Sequence, residues 1–183
     1  RNKEIEAGAT GATSIIGGAQ GRSSLFGRYG VTSLANINLT PEFAAKLGAA
    51  YGATLNKGAV VMVNRDPNRT PRMIKRAVIS GLPSAGVNVA DLTTVPIPIA
   101  RYVTRISDAQ GCVDVRLSPF DNRVVDVQFF DHHGMDIRKL TERKLESTFF
   151  RGEFRRVYLG AIGLMSYPPL GPDGTPRGFR QRT

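Results

Sequence analysis

The sequence predicts an α/β domain built on a mixed, mainly parallel sheet, and three observations carry that reading. Apolar, strand-like runs at residues 59–64 and 87–92 alternate with stretches whose apolar residues recur at helical spacing. The connections between them are short, so the order β-α-β-α-β implies right-handed crossovers between parallel strands. A pair of alternating strands between Gly111 and Asp131 then supplies the next strand and an antiparallel edge.

Residues 1–22 are dominated by Gly, Ala, Ser and Thr and cannot build a core of their own. They read as a linker or as the end of a β-helix, since Ile5 and the pair Ile15-Ile16 faintly mark hexapeptide coils. The motif L-F-G-R-Y-G-V-T-S follows at residues 25–33, where Gly27 and Gly30 permit a tight backbone path. The first helix opens at Thr40-Pro41-Glu42. Thr40 can cap free amides, Pro41 suits the first helical position, and Glu42 faces the positive end of the helix dipole. Phe43, Leu47 and Tyr51, with Ala44 and Ala50, form its apolar face, and Asn56-Lys57-Gly58 ends it. The run at 59–64 suits a strand covered on both faces.

The polar loop at 65–71 leads from that strand into a Thr-Pro helix start, a geometry that aims free amides at the C-terminal edge of a parallel sheet. In the helix that follows, Ile74, Ala77, Val78 and Gly81 are expected inward and Arg72, Lys75 and Arg76 outward. Pro83 and Gly86 close it before the strand at 87–92. Val95-Pro96-Ile97-Pro98 then leads to a helix carrying Tyr102, Val103 and Ile106.

In the central pair, Val113, Val115 and Leu117 alternate with Asp114, Arg116 and Ser118. Val125, Val127 and Phe129 alternate with Asp126, Gln128 and Phe130. The S-P-F-D-N-R loop between them places the Ser118 hydroxyl at a strand end, where it can be a nucleophile or a plain turn residue. Thr141-Glu142 opens a last helix with Leu145 and Phe149 inward. Residues 157–167 read as a strand beginning something else, and 168–183 as an extended Pro-, Gly- and Arg-rich tail. The division is therefore 1–22, a domain at 23–156, and 157–183 as the start of a following domain or a disordered tail.

Bulk properties narrow the functions. No apolar run approaches membrane-spanning length and the N-terminus has no export pattern, so a cytoplasmic location without a membrane partner is expected. The single cysteine, Cys112, lies in an apolar strand and is expected to be a packed thiol. The formal charge of +10 raises nucleic acid, sugars and phosphates as partners. The excess is dispersed over the helix at Arg72, Lys75 and Arg76, the segment 138–156, and Arg177, Arg180 and Arg182. It lacks the aromatic interleaving used for single strands, so a nucleic-acid module is an outside reading, tested by salt-dependent retention of a duplex. His132 and His133, in a D-H-H-G turn, are expected to point different ways. With no ligand set at metal spacing around them, no metal site is assigned.

Taken in order, several strings resemble one family. They are L-F-G-x-x-G-V from Leu25, N-L-T-P-E-F-A-x-K-L-G-x-A-Y-G at 38–52, V-x-V-x-R-D at 61–66, R-M-I-K-R-A at 72–77, S-A-G-V-N-V at 84–89 and F-F-D-x-x-G at 129–134. From about Leu25 to Phe150 the chain resembles the first domain of the phosphoglucomutase and phosphomannomutase family, the α-D-phosphohexomutases. The resemblance implies a three-layer α/β/α fold, carbohydrate metabolism and an intramolecular phosphotransferase (isomerase) chemistry. It places Ser118 on the serine that carries phosphate between C1 and C6 of a hexose, with a hexose phosphate as substrate. Mg2+ would enter through a second domain absent from this chain, and none is expected to be bound by this chain alone.

The chain departs from the family pattern around that serine. Pro119 and Phe120 stand where the family has His and Asn, and its asparagine-glycine falls on Val125 and Asp126. Its lysine falls on Gln128 and its early arginine on Thr32. Phosphoryl transfer relies on placed positive charge, and Arg116 and Arg123 are the substrate-binding candidates that could replace what is lost. The string G-A-Q-G-R-S-S-L-F-G-R-Y-G-V at 18–31 also resembles the junction in bacterial nucleotide-sugar enzymes. There a mannose-1-phosphate guanylyltransferase-type unit and a β-helix precede a mutase-like region with an altered serine loop, here R-L-S-P-F-D-N-R-V-V-D. Two readings result: a degenerate mutase-like domain working with the remaining domains of a parent chain, or an active phosphomannomutase/phosphoglucomutase using Ser118. Either is compatible with an oligomer.

Overall fold

The computed structural model describes residues 24–168, so the expectations for 1–22 and for the tail beyond Pro168 fall outside the described residues. Strand β1 (Val31–Leu34) leads into helix α1 (Pro41–Thr54), followed by β2 (Val60–Arg65), α2 (Arg69–Ser84) and β3 (Asn88–Asp91). Helix α3 (Ile97–Ile106), the paired strands β4 (Gly111–Leu117) and β5 (Val124–Asp131), and helix α4 (Lys139–Arg151) complete the main body. A 3₁₀ turn at Leu159–Ala161 precedes a two-residue strand, β6 (Met165–Ser166).

One six-stranded sheet has the order β1-β5-β4-β2-β3-β6. β4, β2, β3 and β6 are parallel neighbours, whereas β5 runs antiparallel to both β4 and β1. The mixed, mainly parallel sheet is therefore as expected. The antiparallel edge is not β5, however. The residues after the Leu25 motif form β1, which pairs Val31 with Val127 and covers β5. Short, with Thr32 and Ser33 in its centre, that segment carries too little apolar alternation to declare itself a strand.

The sheet is covered on both faces. Val61, Val63, Val113, Val115, Val127 and Phe129 pack under α1, α2 and α4, and Met62, Ala90, Cys112 and Phe130 pack with Ala100 and Val103 of α3. The alternate residues of each strand thus serve different helical layers, giving the three-layer α/β/α arrangement. Helix α1 begins as its sequence requires: the Thr40 hydroxyl accepts from the Phe43 amide at 3.2 Å, with Pro41 at the first position. Helices α1 and α2 meet backbone to backbone. A Cβ on Gly81 would lie 2.1 Å from the Ala45 carbonyl oxygen, and one on Gly48 would lie 2.3 Å from that of Val78.

Several local expectations are corrected. Lys75 does not point outward but is 4% exposed, its Nζ 2.6 Å from the Asp91 carboxylate. It lies on the inner stripe Pro71, Ile74, Val78, Ile79, Leu82, one residue from Ile74, where helical geometry takes it inward and the end of β3 supplies a counter-charge. Helix α4 starts at Lys139, after Arg138, so Thr141 is not its cap, although Glu142 stands in its first turn and Leu145 and Phe149 are buried. His132 and His133 do not diverge, since their rings lie 3.9 Å apart in the turn closed by Gly134. The strand expected over 157–167 shrinks to Met165–Ser166, and it extends this sheet beside β3. The Val89 amide donates to the Leu164 carbonyl at 2.8 Å, and the Leu164 amide donates to Asn88 Oδ1 at 2.8 Å. No helix among the described residues is long and apolar enough to cross a membrane.

Candidate active site at the end of β4

Strands β2, β3 and β4 run the same way, so Arg65, Asp91 and Leu117 end at one edge of the sheet. Ser118 is the first residue past β4, half-buried at that edge. Its amide donates to the Val124 carbonyl at 2.9 Å, and the Val124 amide donates to the Asp121 carbonyl at 3.0 Å, so the loop closes on itself. The Ser118 hydroxyl oxygen accepts from the Phe120 amide at 3.3 Å. Phe120 is 76% exposed, and its ring rests 5.8 Å from that of Tyr29 in the tight turn between Gly27 and Gly30. Gly30, at φ +85°, lets that turn approach β5: a Cβ there would lie 2.2 Å from the Val127 carbonyl oxygen.

Both arginines expected to serve Ser118 are committed to carboxylates. Arg123 grips Asp121 in a fork, Nε to Oδ1 at 3.0 Å and Nη2 to Oδ2 at 2.8 Å, and these bonds hold the Asp121 carboxyl down to about 2. That pair is a feature of the loop surface. Arg116 extends from β4 on the α3 face of the sheet, and its Nε donates to Asp114 Oδ2 at 2.5 Å. Arg116 pairs across the strands with Asp126, and Asp114 with Gln128, so Arg116 stands on the strand next to the position where the resemblance lost its lysine.

Asp114 belongs to a longer polar row that crosses the sheet. Asn64 Nδ2 donates to Asp114 Oδ1 at 2.7 Å and to the Val95 carbonyl at 2.8 Å, while the Val95 amide returns a bond to Asn64 Oδ1 at 2.9 Å. At the far side, Thr32 Oγ1 donates to Asp126 Oδ1 at 2.6 Å. Asn64 and Asp114 are fully buried and Asp126 is nearly so. Burial pushes the Asp126 carboxyl up, opposed by the Thr32 hydroxyl and the Arg116 charge. Such groups are tolerated only when hydrogen-bonded, and no buried side-chain polar atom among the described residues is left without a partner. Thr32, the residue standing where the resemblance expects an arginine, is thus spent on Asp126.

The sequence reading missed the residues that hold this edge together. Asp66 was visible only as the end of V-x-V-x-R-D. Its Oδ2 accepts from the Leu117 amide at 2.7 Å and its Oδ1 from the Asn68 amide at 2.8 Å. Asn64 interrupts an apolar strand, which is the signal that could have singled it out. Lys75 and Asp91 form the remaining buried pair: burial lowers the Lys75 amine and Asp91 opposes that shift. Lys75 Nζ also reaches the Thr93 carbonyl at 3.3 Å, and Asp91 accepts the Thr93 amide at 2.7 Å. These bonds hold Thr93 at φ +66°, a conformation costly for a β-branched residue. Among the described residues no group of three or more His, Cys, Asp or Glu is placed to hold a metal ion.

The chain's relationships agree with this architecture. Residues 23–156 match the family described as phosphoglucomutase/phosphomannomutase, alpha/beta/alpha domain I. The chain is 34% identical over 143 residues to a phosphoglucomutase/phosphomannomutase of Thermococcus kodakarensis, a match covering 76% of this chain and 31% of that protein. It is 36% identical over 138 residues to a probable phosphoglucosamine mutase of Pyrococcus abyssi, covering 75% and 30%. Its fold superposes on a phosphoglucomutase/phosphomannomutase family protein of Burkholderia thailandensis with a TM-score of 0.68 at 21% identity, over 79% of this chain and 32% of that one. A putative phosphomannomutase of Thermus thermophilus gives 0.65 at 23%, over 78% and 32%. This chain spans about a third of the length of the curated relatives it matches. With its sheet order, its two helical layers and a serine loop at the end of β4, the chain belongs to the phosphoglucomutase/phosphomannomutase family as the family's α/β/α domain I.

Proposed function

We propose that this domain serves carbohydrate metabolism as a phosphohexomutase-type domain I whose serine loop recognises or scaffolds a sugar phosphate without carrying the phosphoryl group. One observation bears the weight: the cations nearest Ser118 in sequence are already neutralised. Arg116 is bound to Asp114 and Arg123 to Asp121, with Asp126 across from Arg116. A phosphoserine at Ser118 would bring about two negative charges to a loop whose arginines are already matched by carboxylates and whose preceding amide, that of Leu117, is held by the Asp66 carboxylate. Phosphoryl transfer is catalysed chiefly by preorganised positive charge, and taking Arg116 from a buried carboxylate leaves that carboxylate unpaired.

The finer form of the proposal puts this domain in a parent chain with a mannose-1-phosphate guanylyltransferase-type unit, supported by the sequence at 18–31. In that setting nucleotidyl transfer by the full-length protein is expected to be independent of Ser118.

The test is peptide mass mapping of the full-length protein after exposure to a hexose 1,6-bisphosphate and Mg2+, run beside a hexose-phosphate mutase assay of wild type and Ser118→Ala. An unmodified Ser118 peptide, with no turnover sensitive to the substitution, is the expected result. Substantial phosphoserine together with turnover abolished by Ser118→Ala would overturn the proposal in favour of an active phosphomannomutase/phosphoglucomutase.

A further inference from the structure

We infer that Asp66 is the positioning residue of the Ser118 loop, fixing through the Leu117 amide where β4 ends and where the serine begins. The parallel ladder between β2 and β4 pairs Arg65 with Val115, and the Asp66 amide still donates to the Val115 carbonyl at 3.1 Å. The chain then leaves the sheet for α2, so no β2 carbonyl is available for the next inward-facing amide of β4, that of Leu117. The Asp66 side chain takes that place: Oδ2 accepts from Leu117 N at 2.7 Å. A carboxylate replaces the missing ladder acceptor, and the bond is charge-assisted.

The carboxylate is itself aimed. Its other oxygen accepts the Asn68 amide at 2.8 Å at the entry to α2, and Arg65 Nη1 donates to the Asp66 carbonyl at 2.6 Å. Asp66 therefore locks the β2–α2 loop to the residue preceding Ser118, while the Ser118 amide is held from the opposite side by the Val124 carbonyl at 2.9 Å. With Asp66 in place, the serine hydroxyl leaves the sheet at one fixed point. Without it, β4 ends at Val115 on the β2 side, and the loop hangs from β5 alone. The inference deepens the reading of Ser118 given above but rests on it only for what the loop does, not for how the loop is held.

The experiment is residue-resolved amide hydrogen exchange and amide-proton NMR on the full chain, comparing wild type with Asp66→Asn and Asp66→Ala. Loss of a charge-assisted bond predicts roughly ten- to hundredfold faster exchange at Leu117 in Asp66→Ala. Exchange at Val113, deeper in the same strand, is expected to stay within about twofold. Asp66→Asn, which keeps one acceptor oxygen, is expected to be intermediate and to move the Leu117 amide proton upfield. Unchanged exchange at Leu117, or acceleration equal to that at Val113, would overturn the inference, the latter because it reports global loosening instead of a released loop. Should Asp66→Ala not fold, the Asn variant decides. Phosphoserine mapping at Ser118 tests the proposed function and leaves this measurement untouched, so the two can fail separately.

Discussion

The two faces of the sheet are built by different rules. Beneath α1, α2 and α4 the strands present Val, Phe and Leu side chains, and two helix backbones touch at Gly48 and Gly81. Beneath and beside α3 the same strands present Asn64, Asp114, Arg116 and Asp126, linked by hydrogen bonds and charge toward Thr32 on β1. The first face is stabilised by excluding water and tolerates little added volume. The second holds buried charges whose desolvation must be offset by partners, at the strand ends from which the serine loop emerges. Both faces bury apolar residues, Met62, Cys112 and Phe130 under α3 included, but the polar row that borders the serine loop lies on the α3 side alone.

Substitutions can break that contrast, and the helix contact offers the largest effect. Gly81→Val would drive side-chain atoms into the backbone at Ala45 and Ala49, where even a Cβ meets atoms at 2.1 and 2.6 Å. A loss upwards of about 4 kcal/mol is expected, read as a fall in the urea midpoint or as failure to fold. Lys75→Ala leaves the nearly buried Asp91 without its ammonium and should cost about 3 kcal/mol by the same measurement. Asp114→Ala removes one of the two acceptors of Asn64 Nδ2, leaving the bonds to Val95, and releases Arg116, for an expected loss of about 2 kcal/mol. It also supplies a cation beside the Ser118 loop, so any gain in phosphate affinity, read by calorimetry with inorganic phosphate, would sharpen the division of roles.

The mildest change tests the sign of a titration. Asp126→Asn keeps an oxygen for the Thr32 hydroxyl and removes a carboxyl that burial pushes up, so stability at neutral pH should change by less than about 1 kcal/mol. A group whose folded value is raised binds its proton more tightly in the folded state. Its contribution is full below the ordinary carboxyl range and is lost as pH rises through the raised folded value. The asparagine variant should flatten that decline in thermal melts, and a steeper decline would refute the assignment. Arg123→Ala, at the exposed loop, should leave the melting midpoint unmoved while the Asp121 carboxyl, held to about 2, rises toward its ordinary value in a carbon-detected titration.

Legibility in the sequence followed the same division. The apolar face was readable because its signals are local: Thr40-Pro41 starts α1, Leu47 and Tyr51 repeat at helical spacing, and the valines of β4 and β5 alternate. The charged pairs were not, because a residue's type does not reveal its partner. Arg116 and Arg123 looked available to a phosphate until Asp114 and Asp121 were found holding them. Lys75 looked solvated because lysine usually is, and only Asp91, sixteen residues away on β3, explains its burial. Strand β1 escaped notice because its pairing with β5 spans nearly a hundred residues, with little apolar pattern to announce it.

By itself, the sequence determined the alternation of strands and helices, the parallel core of the sheet, the family and the position of Ser118 at a strand end. These depend on periodicity, capping and motif order, all written within short windows of chain. Tertiary structure decided which charges are free. Asp66 beneath Leu117, Asn64 on Asp114 and Thr32 on Asp126 join residues that are distant in sequence and meet only once the strands align. In a buried setting a charge acts according to the partner it meets there, and the fold alone brings those partners together.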